Sequence, residues 1–74
     1  MGRLTVLNGD KEEKYSWSSD SLKDIQIASE KFNQYMKQGF IASKIVNQGK
    51  MGVHIAEFDL EAEEIIMLRL AEGG

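Results

Sequence analysis

The sequence predicts an α+β domain, a mixed β-sheet rolled against one helix in the order ββαββ(turn)β. Three observations predict it. Asp20 to Gln38 is the only stretch long and periodic enough for a helix. Short segments of strand character flank it on both sides, separated by glycine-bearing turns. The last of them, centred on Ile65-Ile66-Met67-Leu68, is apolar on both faces and so belongs inside a sheet rather than at its edge.

The helix comes first because the remainder has to cover it. At about 100° per residue, Leu22, Ile25, Ala28, Ser29, Phe32, Tyr35 and Met36 fall within one arc, and Lys23, Asp24, Gln26, Glu30, Lys31, Asn33, Gln34 and Lys37 occupy the rest. Ser18, Ser19, Asp20 and Ser21 offer N-cap oxygens, and Ser21 with Asp24 has capping-box spacing. Gly39 supplies a left-handed C-terminal residue, with Phe40 placed to fold back on Tyr35 or Met36. One helix cannot bury its own stripe, so a sheet must cover it.

Ahead of the helix, Arg3 to Leu7 alternates, with Leu4 and Val6 on one side and Thr5 and Leu7 on the other. Asn8-Gly9 is a strong hairpin signal, and Glu12 to Trp17 reads as the return strand. Setting Leu4 opposite Tyr15 and Leu7 opposite Glu12, with a four-residue loop, puts the apolar residues of both strands on one face; a slip of one residue exposes them. Beyond the helix, Phe40 to Val46 and Val53 to Phe58 form a second hairpin across Asn47-Gln48-Gly49-Lys50 and Gly52. Its inward face is ambiguous: Phe40, Ala42 and Val46 share a side with Lys44, Ile41 and Ile45 with Ser43. Asp59 to Ala62 predicts one helical turn, and Glu64 to Leu70 the final strand.

A last strand that lies inside the sheet and a helix that crosses one face are reconciled when that strand enters beside the first and parallel to it. This is the β-grasp layout. The segment Leu68-Arg69-Leu70-Ala71-Glu72-Gly73-Gly74 resembles the strand exit and Gly-Gly ending of ubiquitin-like proteins, and is similar to the tail of bacterial sulfur carriers. In the sulfur carriers an acidic turn precedes an apolar strand, as Asp59 to Glu64 precedes Ile65 here; the prolines that they place before Gly-Gly are absent. The resemblance implies a small carrier or modifier that an ATP-using enzyme activates at the carboxylate of Gly74. Gly73 then gives clearance in a narrow channel, since glycine has no Cβ, and Arg69, Leu70, Ala71 and Glu72 form the stalk. Residues 71–74 would be a flexible tail on a single domain, 1–74.

Composition narrows the remaining classes. With 74 residues, no cysteine and no proline, the chain holds one small core without disulfides or thiolate metal sites. Met1 to Leu7 is too short an apolar run for a signal peptide or a membrane span, which leaves a cytoplasmic location as the expectation. Nine basic residues dispersed among twelve acidic ones, net charge −3, argue against a nucleic-acid partner. No cofactor is indicated.

Residue constellations point away from an enzyme. His54 has no nucleophile near it in sequence. Glu57, Asp59, Glu61, Glu63 and Glu64 lack the ligand alternation and central glycine of a calcium loop, and Asn47 to Gly52 matches no phosphate-binding loop. The alternative to a carrier is a noncatalytic interaction module or small accessory subunit. Its candidate contact surface is Ile27, opposite the helix stripe, with Ile41 or Ile45 of the second hairpin and Trp17 at the end of its strand.

Overall fold

The computed structural model describes residues 1–46 and 48–69. Their elements are β1 (Gly2–Asn8), β2 (Lys11–Trp17), α1 (Leu22–Lys37), β3 (Phe40–Val46), β4 (Met51–Ile55) and β5 (Glu64–Arg69). They form a five-stranded sheet in the order β2-β1-β5-β3-β4. β5 runs parallel to β1 and antiparallel to β3, so the last strand is the central one. Order, directions and the single covering helix are those of a β-grasp fold.

The first hairpin has the register that alternation demands, Leu4 opposite Tyr15 and Leu7 opposite Glu12. The ladder runs one pair further, to Asn8 and Lys11, so the loop shortens from four residues to two. Gly9 carries the positive φ, at 63°, as such tight turns require.

The helix is capped as its flanks predict. The Asp24 amide donates to Ser21 Oγ at 3.4 Å. At the other end the Gln38 and Gly39 amides donate to the carbonyls of Tyr35 and Met36, with Gly39 at φ 95°. Phe40 folds back on Tyr35, ring centroids 4.8 Å apart. Cover of the stripe begins at Ile25, for Leu22, in the first turn, is 81% exposed.

Alternation sends Leu4, Val6, Tyr15, Trp17, Phe40, Ala42, Ile65 and Met67 to the helix side, where with Ala28, Phe32 and Tyr35 they make the core. This settles the face of β3. Lys44 shares that inward side and leaves the apolar interior by donating to Asp59 Oδ2 at 2.9 Å.

The second hairpin ends earlier than the pattern predicts. β4 stops at Ile55, and Gly52, expected in the turn, lies within the strand opposite Ile45. The core claims Phe58: its ring packs 5.0 Å from Trp17 and 5.8 Å from Phe32, centroid to centroid, so the chain has to leave the sheet to deliver it. Asp59 to Ala62 is a hydrogen-bonded turn rather than a helical one, closed by the Ala62 amide on the Asp59 carbonyl at 3.1 Å. Trp17 closes this end of the core, donating from Nε1 to the Leu60 carbonyl at 2.9 Å. Its ring fills the space over Gly2, where a Cβ would stand 2.1 Å from it.

A polar pin joins helix to sheet at the other side. Both Tyr15 and Tyr35 donate their hydroxyls to the Glu13 carboxylate, each at 2.5 Å. These bonds, Tyr15 first, hold the Glu13 carboxyl below its usual 4.5. The same carboxylate pushes Tyr15 up from 10.0 to about 12, with burial adding to it. For a depressed acid, stability is present above the unfolded value and is lost as pH falls through the folded one; for a raised phenol it is present below the unfolded value and is lost as pH rises through the folded one. The expected stability profile is therefore flat from about pH 5 to pH 10 and falls on either side. In Glu13→Gln, the ultraviolet tyrosinate titration of Tyr15 should move from about 12 back toward 10.0, and the alkaline fall should shrink, because the folded and unfolded phenols then titrate together.

Candidate functional site

The sheet has a second face that no helix covers. There the register brings residues far apart in sequence into rows. Leu7, Leu68 and Ile41 stand side by side across β1, β5 and β3. Thr5, Ile66, Ser43 and His54 form the next row, and Arg3, Glu64, Ile45 and Gly52 the third. Leu7, Ile41, Ile45 and Ile66 are half-buried, while Leu68 is 47% exposed. The outcome is one apolar strip on an otherwise polar face. Large exposed apolar patches mark protein contacts, and this strip, with Leu68 exposed at its end, is the candidate for one on the open face.

Charge borders the strip without crossing it. Glu12, Lys14 and Ser16 of β2 flank it on one side. Arg3 and Glu64 close its lower end as an ion pair at 3.5 Å, both side chains solvent-accessible, worth little in stability. At the upper end β5 ends at Arg69, which pairs with Phe40 directly after Leu68.

Of the residues predicted as a contact surface, Ile41 and Ile45 lie in this strip. Ile27 does not join them. It is 40% exposed on the outer side of α1, with the helix and the whole sheet between it and the two isoleucines. Trp17 is 1% exposed and spent on the core, so it offers no surface. Leu7, Ile66 and Leu68 complete the strip and were not singled out from sequence. Alternation put each on its strand's second face, but only the cross-strand register shows that they adjoin. Of the predicted stalk, Arg69 is the last residue of β5; Leu70, Ala71 and Glu72, with the tail residues Gly73 and Gly74, lie outside the described residues.

The acidic segment resolves into separate jobs. Asp59 takes the Lys44 ammonium, and that bond, followed by one from the Glu61 amide, holds its carboxyl below the ordinary carboxylate range. Glu64 faces Arg3, and Glu57, Glu61 and Glu63 are exposed. Among the described residues, no group of three or more His, Asp or Glu is placed to hold a metal ion. His54 is exposed on β4 beside Ser43. No helix among these residues is long and apolar enough to cross a membrane.

Set against known proteins, the chain matches no family model, no curated protein and no solved structure. The reading of its function therefore rests on the site itself.

Proposed function

We propose that this chain is a ubiquitin-like carrier or modifier, recognised through the open face of its sheet and activated at Gly74 by an ATP-using enzyme. The observation that supports this reading is the position of the apolar strip. Its most exposed member, Leu68, is the penultimate residue of the central strand, and Gly73-Gly74 follow it in the sequence by only a few residues. A partner seated on Leu7, Ile41, Ile66 and Leu68 would hold the chain within a few residues of its Gly-Gly end. The domain would contribute no catalytic group: it is held by its face while its carboxylate is adenylated, and glycines give the end the slimness that a closed active site demands.

The test is the intact mass of the untagged chain recovered from its native cells. Sulfur in place of one terminal oxygen identifies a sulfur carrier, and Gly74 joined to another protein's amine identifies a modifier. An unmodified carboxylate alone, under conditions where a known carrier is charged, overturns the reading in favour of a noncatalytic module that binds through the same face. Leu68→Asp should cut the charged fraction at least tenfold, since truncating or charging the centre of a contact costs about 2 kcal/mol or more.

A further inference from the structure

The two edges of the sheet differ in kind. β2, the edge beside β1, carries Lys11, Glu12, Glu13 and Lys14, charges that discourage another strand from pairing there. β4, the opposite edge, reads Met51-Gly52-Val53-His54-Ile55. It has no lysine, arginine, aspartate or glutamate and no proline, and among the described residues it pairs with β3 alone. Among the described residues its outer edge has no partner strand, and Met51 and Val53 are 54% and 40% exposed on the helix side. α1 packs chiefly on β2 and β3, and of the β4 side chains Ile55 alone packs against the core.

We propose that β4 pairs antiparallel with β4 of a second copy of this chain, about a two-fold axis through Val53. The strand is its own complement in that register. Val53 meets Val53, Met51 meets Ile55, and Gly52 meets His54, so all five strand residues are used. Residues directly opposite in a ladder share a face, and this pairing sets the apolar 51/53/55 side of one copy against the same side of the other. A register shifted by one residue would set Met51 against His54 and put the helices of the two copies on opposite sides.

Gly52 supplies an independent observation. Glycine weakens a strand interior and often marks the close approach of another backbone. Nothing in the protomer requires it: a Cβ there meets only ordinary contacts, Ser43 Cβ at 3.7 Å and Ile45 Cδ1 at 3.8 Å, and its φ is not positive. In the proposed pair it faces the imidazole of the partner copy's His54 and leaves that ring room. A five-residue ladder buries less than the roughly 1,200–2,000 Å² of a stable interface, so the dimer is weak and concentration-dependent. It joins two sheets into one of ten strands with both apolar strips on the same side.

The experiment is sedimentation equilibrium of the wild-type chain from micromolar to millimolar concentration, with Val53→Lys and Val53→Glu alone and mixed. The exposed position lets both variants keep the fold, which circular dichroism checks. The wild type should move from 8.3 kDa toward twice that mass as concentration rises. Each variant, which sets like charges across the axis, should dissociate at least tenfold more readily, and the equal mixture should recover to within about threefold of wild type. A wild type that stays at one-chain mass to millimolar concentration overturns the proposal. So do variants that dimerise as well as wild type, or a mixture that fails to recover.

Discussion

Trp17→Ala should abolish cooperative folding near room temperature. The ring is 1% exposed, packs against Phe58 with the two ring planes tilted by 60°, and donates its Nε1–H to the Leu60 carbonyl. It also lies against the space that Gly2 keeps free of a side chain. Removing a buried tryptophan costs about 3–5 kcal/mol, while a domain of this length holds about 4–11 kcal/mol in all. The loss falls on more than the cavity, because the Phe58 to Ala62 segment is tied to the sheet through this ring. Urea unfolding followed by far-ultraviolet circular dichroism should show a shallow transition or none. Trp17→Phe keeps an aromatic surface for Phe58 and removes the donor, so it should cost only about 1–2 kcal/mol and leave a sharp transition at lower urea. Equal effects in the two variants would place the hydrogen bond, not the packing, at the root of this corner's stability.

Phe32→Ala should be nearly as damaging, and its contrast with Ile27→Ala is the informative part. Phe32 is fully buried at the centre of the helix stripe and meets Phe58 edge-on. Truncation there costs about 3–5 kcal/mol. Ile27, five residues earlier on the opposite side, should change stability by no more than about 0.5 kcal/mol, as exposed substitutions do. Thermal unfolding of the two variants reads both. A large loss at Ile27 would mean that the outer face of α1 is covered by something beyond this chain.

The residues that announce the fold are those whose local chemistry and distant packing agree. Gly9 and the alternation of Leu4, Val6, Tyr15 and Trp17 set the first hairpin's register, since any slip would expose the apolar side, although the turn falls on Gly9-Asp10 rather than on Asn8-Gly9. Ser21, Gly39 and the stripe from Ile25 to Met36 likewise mark the helix. The second hairpin was less legible for a tertiary reason. Val53 to Phe58 looks like continuous strand, but Phe58 is taken by Trp17 and Phe32, and no local pattern reveals that demand. Lys44 blurred the face of β3 because it lies on the inward side and escapes only by reaching Asp59. The apolar strip was half visible. Ile41 and Ile45 stand out as β-branched residues on one side of β3, whereas Leu7 and Leu68 become their neighbours only through a ladder joining positions some sixty residues apart. Ile27 illustrates the reverse error, in which helical periodicity finds an exposed residue but says nothing about what lies beside it.

The central place of β5 governs the order in which this domain can be made. β1 and β3 have no ladder between them, so until residues 64–69 arrive each hairpin keeps a bare edge facing a gap one strand wide. The helix then has a split floor to lie on, and no subset of the first four strands forms a closed core. The closing step joins the earliest and the latest strands, a long-range contact that slows folding. A chain cut before Ile65 should remain two hairpins and a helix without a common fold, and one still being synthesised must hold its apolar face open until nearly the whole described sequence is available.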